Sequence, residues 1–208
     1  MNKKETNTLL NSSKLMVLLA LLIVVLMLLV VWLVLTGGDS EIHIAAAQGD
    51  LGKIKSILAE KPELVNARDK DGWTPLHMAA DANQNQMIVL LLVNGAEVNA
   101  KTFEESGWGS SKKEFGWTAL HMAANSGNNQ MAEILFANEA EVNVKANVGH
   151  TPLHMACIDG HKSMVELLIA KGAEVNAITD DGHTPLKYAI VTGHDDIADL
   201  LREHGGTE

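Results

Sequence analysis

Apolar positions follow two different patterns along this 208-residue chain. From Leu15 to Leu35, 21 consecutive residues carry no charge, and the indole of Trp32 is the only hydrogen-bonding side chain among them. As a helix this run reaches roughly 30 Å, the thickness of a bilayer's hydrocarbon, and it predicts one transmembrane helix. A cleaved signal peptide fits less well, because its apolar region is about 7–15 residues long and a small-residue cleavage site follows it. From Ile42 onward the apolar residues come in short blocks broken by polar residues and glycine. The blocks Met87 to Val93, Met131 to Phe136, Met164 to Ile169 and Ile197 to Leu201 each predict a short helix with one buried face.

One phrase recurs ahead of these blocks. Thr74-Pro75-Leu76-His77-Met78-Ala79-Ala80 returns as Thr118-Ala119-Leu120-His121-Met122-Ala123-Ala124 and as Thr151-Pro152-Leu153-His154-Met155-Ala156-Cys157. An altered copy reads Thr184-Pro185-Leu186-Lys187-Tyr188-Ala189-Ile190. The steps between copies are 44, 33 and 33 residues, so the period is 33 with 11 extra residues ahead of Thr118. A fixed period of this size predicts stacked units rather than a closed globule. Within a unit the threonine hydroxyl can cap a helix, and proline suits the first helical position, where its missing N–H costs nothing. Gly127, Gly160 and Gly193, with Asn83 in the equivalent place, can end that helix in a left-handed turn. The apolar block follows as a second helix, closed by Gly-Ala-Glu-Val-Asn phrases at Gly95 and Gly172 before the next tight turn.

These units resemble ankyrin repeats. Asp71-Gly72-Trp73-Thr74-Pro75-Leu76-His77 and Asn94-Gly95-Ala96-Glu97-Val98-Asn99-Ala100 lie close to that family's repeat phrase. Ile42-His43-Ile44-Ala45-Ala46-Ala47-Gln48-Gly49-Asp50, which lacks the Thr-Pro, has the look of an amino-terminal cap. The resemblance implies an all-α ankyrin-repeat solenoid, helix-turn-helix units joined by β-hairpin loops, over residues 42–206. Its five units run over about 42–69, 70–102, 114–146, 147–179 and 180–206, with an insertion at about 101–115. The resemblance also implies that His43, His77, His121 and His154 make structural hydrogen bonds between adjacent units, and it places His161 and His194 at a family-typical turn. Two departures stand out: Glu139 sits where Gly95 and Gly172 sit, predicting a strained positive φ, and Lys187 replaces the motif histidine. The last helix, with Asp195, Asp196, Arg202 and Glu203, is polar enough for a solvent-facing cap.

Charge adds a topology. Lys3, Lys4 and Lys14 in the polar tail 1–14 precede the span 15–35, whereas Asp39 and Glu41 follow it in the short Gly37-Gly38 linker 36–41. Positive charge stays cytoplasmic, so the amino terminus faces the cytoplasm and the repeats the extracytoplasmic side, periplasmic in a bacterium; cytosolic repeats are the alternative. After the span, 13 basic residues stand against 25 acidic ones, a net of −12. Such a surface repels nucleic acid.

Candidate chemistry is sparse. The single cysteine, Cys157, excludes an internal disulfide and occupies a small apolar position. His150 and His183 lie one period apart at successive turns and read as solvated rather than as metal ligands. Glu97, Glu141 and Glu174 recur through periodicity alone. No nucleophile elbow, phosphate loop or zinc-protease helix is present in the sequence, so no catalytic, cofactor or metal site is assigned.

The aromatic residues carry the functional expectation. Trp73, Phe103, Trp108, Phe115 and Trp117, five of the eight aromatic residues, gather at two turns and the insertion between them. The resemblance makes the residue before each Thr a variable, exposed contact position, here Trp73, Trp117, His150 and His183. Asp81, Asn125, Ser126 and Asp159 follow the small pair of each motif helix and are expected along the concave groove. Aromatic side chains dominate interface hot spots, so these residues predict protein binding, unless the insertion instead folds back on its own hairpins. The alternative function is an accessory subunit of a larger membrane complex, its span packed against other subunits.

Overall fold

The structure is a computed structural model that describes residues 41–69, 71–102 and 116–208. The tail 1–14, the span 15–35, linker residues 36–40 and insertion residues 103–115, with Phe103, Trp108 and Phe115, lie outside the described residues. No helix among the described residues is long and apolar enough to cross a membrane.

The described chain is a stack of helix pairs. They are α1 (described over 41–48) with α2 (Leu51–Glu60), α3 (Pro75–Asp81) with α4 (Asn85–Val93), α5 (Ala119–Ser126) with α6 (Asn129–Ala137), α7 (Pro152–Ile158) with α8 (Lys162–Ala170), and α9 (Pro185–Thr192) with α10 (Asp195–Glu203). Short 3-10 turns occupy Pro62–Asn66 and Asn147–Gly149. The first helices of successive pairs pack in a row, α3 on α5 on α7 on α9, and the second helices make a parallel row, α4 on α6 on α8 on α10.

Local sequence explains each boundary. Thr74, Thr151 and Thr184 hold extended backbone at the N-cap with proline at the first helical position. Gly127 and Gly193 end their helices left-handed, at φ 64° and 80°. Ala79, Ala80, Ala123, Ala124, Ala156 and Cys157 are all buried, and small side chains there let the first-helix row pack backbone to backbone. Leu76, Leu120, Leu153 and Leu186 fill the space between the rows. Burying each leucine contributes about 1.5–3 kcal/mol.

Side chains of one unit also bond the backbone of the next. Asn66 donates to Gly95 O and accepts from Glu97 N–H; Asn99 does the same with Glu139 and Glu141, Asn143 with Gly172 and Glu174, and Asn176 with Gly205 and Thr207. The final asparagine of the Gly-Ala-Glu-Val-Asn phrase is thus an inter-unit strap. A second row runs beside it, Arg68 to Lys101 O, Lys101 to Lys145 O and Lys145 to Ile178 O.

The expected β-hairpins reduce to turns, and no strand is present among the described residues. Each turn closes on a single residue pair, such as Asp69 N–H to Trp73 O or Ala146 N–H to His150 O, so its arms are too short for a ladder. Thr102 and Trp117 make the same closure at 2.9 Å. The residues 103–115 therefore stand where the turn at 69–73 has only residues 70 and 71, which accounts for the 11 extra residues. In the last unit, where Lys187 replaces the motif histidine, Thr184 Oγ1 donates to Thr207 O and Lys187 reaches the Glu208 carboxylate at 3.6 Å.

Glu139 adopts φ 66°, as its register with Gly95 and Gly172 requires. Val148 does so too, at φ 62°, where a β-branched side chain is strained. Replacing Glu139 by glycine should raise stability by about 0.5–1 kcal/mol, the left-handed strain less the added freedom of the unfolded chain. Asn143→Ala should lower it by about 1–2 kcal/mol through two lost bonds. Urea melts with unchanged midpoints for both variants would contradict the strap and the strain together.

Candidate partner-binding groove

The groove is built on histidines that spend both ring nitrogens internally. In α3, His77 Nδ1 accepts from the Thr74 backbone N–H and hydroxyl at 3.1 and 2.8 Å, while Nε2–H donates to Ala100 O at 2.9 Å and Trp117 O at 3.1 Å. His121 Nε2 reaches His150 O at 3.1 Å, His154 reaches His183 O at 3.3 Å, and His43 reaches Trp73 O at 2.9 Å. The residue before each threonine therefore serves the preceding unit through its carbonyl, and its side chain is free to vary. A second imidazole row, His161 to Asn125 O and His194 to Ile158 O, ties the ends of the motif helices. A Cβ at Gly127 would stand 2.6 Å from His161 Nδ1, so that turn requires glycine both for its φ and for the ring behind it.

The side chains at the variable position depart from full exposure. Trp73 and Trp117 are half-buried against the core, their rings 6.1 and 6.3 Å from His77 and His121. His150, expected to be solvated, is buried, because Tyr188 of the next unit lies over it and its hydroxyl meets His150 Nε2 at 3.0 Å. His183 alone of that pair keeps a partly exposed ring, 3.9 Å from Asp181. Asp81, Asn125, Ser126 and Asp159 are exposed, and the Ser126 hydroxyl donates to Met122 O at 2.9 Å. Partial burial raises the Asp159 carboxyl above its ordinary value.

Around His150 the groove deepens into a pocket of about 430 Å³. Its lining comes from Trp117, Val148 and His150, from Met155 and Ile158 of α7, from Asp181, and from Tyr188, Val191 and Thr192 of α9. Val148, Tyr188, Val191 and Thr192 were absent from the sequence-based candidates. Their signal lay in departures at fixed register. Val148 stands where Asp71 and Asp181 stand, Tyr188 where Met78, Met122 and Met155 stand, and Val191 where Asp81 and Asn125 stand. The position after the small pair thus changes along the stack, polar at Asp81 and Asn125 and apolar at Ile158 and Val191.

Reactive chemistry is weak here. Burial pushes the Cys157 thiol up to about 12, leaving it protonated and inert. Among the described residues no group of three or more His, Cys, Asp or Glu is placed to hold a metal ion.

A regular stack of capped helix pairs, strapped unit to unit through side chains and opening a groove between turns and first helices, defines a repeat solenoid. Three overlapping matches to the family described as ankyrin repeats cover residues 42–146, 100–179 and 120–208, and the chain belongs to that family. Human ankyrin repeat domain-containing protein 49 is 40% identical over 58 residues, 28% of this chain and 24% of that protein. Delta-latroinsectotoxin-Lt1a of Latrodectus tredecimguttatus is 42% identical over 65 residues, 30% of this chain and 5% of the toxin. The human NAD-capped RNA hydrolase NUDT12 is 34% identical over 58 residues, 28% of this chain and 13% of that protein. The chain matches only a small part of each of these relatives. Membership in the family points to a non-enzymatic module that engages other proteins.

The histidines make stability depend on pH. Burial pushes His77, His121 and His154 from 6.5 down to about 4, outweighing the carbonyls that favour the cation. In the unfolded chain these rings protonate near 6.5, so between the two values the unfolded state binds more protons and stability rises with pH. Urea melts should give full stability above about pH 6.5 and a steady fall toward pH 4, with up to about three protons taken up on unfolding near pH 5. A pH-independent midpoint across that window would contradict the neutral, buried imidazoles.

Proposed function

We propose that this chain is a single-pass membrane-anchored ankyrin-repeat protein that binds another protein through its groove and turns. The amino terminus faces the cytoplasm and the repeats the extracytoplasmic side. The observation that carries the binding reading is the pocket of about 430 Å³, with Val191 71% exposed at its edge. Ankyrin membership points the same way. The anchor rests on the uncharged run Leu15 to Leu35, and its orientation on Lys3, Lys4 and Lys14 ahead of it.

An accessory-subunit reading finds its support on the opposite side of the stack. Helix α4 carries no charge, and Val89 and Val93 are 44% and 79% exposed on its outer face. The other second helices each present charge there, as with Glu133, Glu166 and Asp199. Extraction in mild detergent separates the readings, because a lone anchored chain leaves as a small species and a subunit leaves with its complex.

Two outcomes follow. A reporter fused after Glu208 should be active only outside the cytosol, and activity confined to the cytosol would reverse the topology. Trp117→Ala should weaken partner capture by about 1–2 kcal/mol or more, the range of interface hot spots. Because Trp117 is half-buried, capture is to be corrected for any unfolded fraction. Undiminished capture by folded Trp73→Ala and Trp117→Ala proteins would remove the tryptophans from the contact surface.

A further inference from the structure

We infer that the pocket at the carboxy-terminal half of the groove takes an apolar side chain from an extended partner segment that carries lysine or arginine beside it. This deepens the partner-binding reading and rests on it. Met155, Ile158, Val148 and Val191 give the pocket its apolar surface, and Val148 lines it with a strained left-handed backbone. Strain of this kind persists where the surrounding structure enforces it and concentrates at ligand clamps. The volume lies within the range of about 300–1,000 Å³ that holds a bound group of side-chain size or more. Tyr188 is committed to His150, and the Thr192 hydroxyl to Tyr188 O at 2.8 Å, so the two bring little unspent hydrogen-bonding capacity. An apolar group fits such walls better than a polar one.

The sign of the partner follows from the charges around the rim. Asp181 lines the pocket, the exposed Asp159 directly follows the lining residue Ile158, and Asp180 precedes Asp181 on the exposed turn. The neighbouring cations are turned elsewhere: Lys145 donates to Ile178 O, Lys187 reaches Glu208, and Lys101 donates to Lys145 O. Asp81 continues the acidic character toward the amino-terminal half, and Asn125 between them supplies a side-chain amide. An extended segment anchored in the pocket would therefore run along a polar, acidic path.

The test uses the full chain in detergent micelles and a random linear peptide library displayed on phage. Enriched peptides should share a Leu, Ile, Met, Phe or Trp with Lys or Arg within a few residues of it. Synthetic versions should bind Val191→Asp and Ile158→Asp about tenfold or more weakly, and Asp181→Asn about three- to fivefold, the last loss shrinking as salt rises. Val191 is 71% exposed, so Val191→Asp should melt as the parent does, which separates lost binding from lost fold. Enrichment of acidic peptides, or full affinity in Val191→Asp, would overturn the assignment. If affinity survives Val191→Asp but falls in Trp73→Ala or Asp81→Asn, the groove binds a partner and the pocket does not anchor it. If the parent enriches no peptide, both readings fall. Affinity that rises when residues 103–115 are replaced by a two-residue turn would make the insertion the occupant in place of a partner.

Discussion

The stack depends on a neutral imidazole held between two units. His77 takes the Thr74 N–H on one nitrogen and gives the other to carbonyls of the next turn, and His121 and His154 repeat the arrangement. The geometry works only with one proton on the ring, since the nitrogen facing threonine must accept. Burial enforces that state. An asparagine strap does for the second helix what histidine does for the first, bonding one unit's side chain to the next unit's backbone. Leaving a buried histidine bond unmade costs about 1–3 kcal/mol, and the exposed asparagine straps add to it, so the units are stable as neighbours and each holds the register of the next.

This division of labour explains where variation is tolerated. The carbonyl of the residue before each threonine is occupied, but its side chain is not required, and Trp73, Trp117, His150 and His183 all fill the position. The position after the small pair likewise touches the groove without holding the fold, and there the chain turns from Asp81 and Asn125 to Ile158 and Val191. The proposed binding function draws on such positions.

Much of the fold was legible because the repeat is explicit. The Thr-Pro-Leu-His phrase and its 33-residue period located the helices, the capping threonines and the positive φ at Glu139, and the ankyrin resemblance implied the structural histidines. The pocket was harder to see. It depends on Tyr188 reaching back across a unit to cover His150, a contact between residues 38 apart that no periodic pattern announces. Tyr188 occupies a position where other units place methionine, buried at Met122 and Met155, so register alone gives no sign of this contact. Val148 went unnoticed because a β-branched residue is not expected in a left-handed turn. The two half-buried tryptophans show the same limit: the sequence located their turns, while the ring's lean toward the motif histidine is a matter of packing.

The central claim is that binding uses the concave groove and not the outer face of the stack. Val191 in the groove and Val93 on α4 are similarly exposed, at 71% and 79%, so they make a matched pair for site-specific photo-cross-linking in cells. A photoreactive residue at position 191 should form a discrete adduct with a second protein, and the same residue at position 93 should not. An adduct from position 93 with none from position 191 would contradict the account and move the interface to the outer helices.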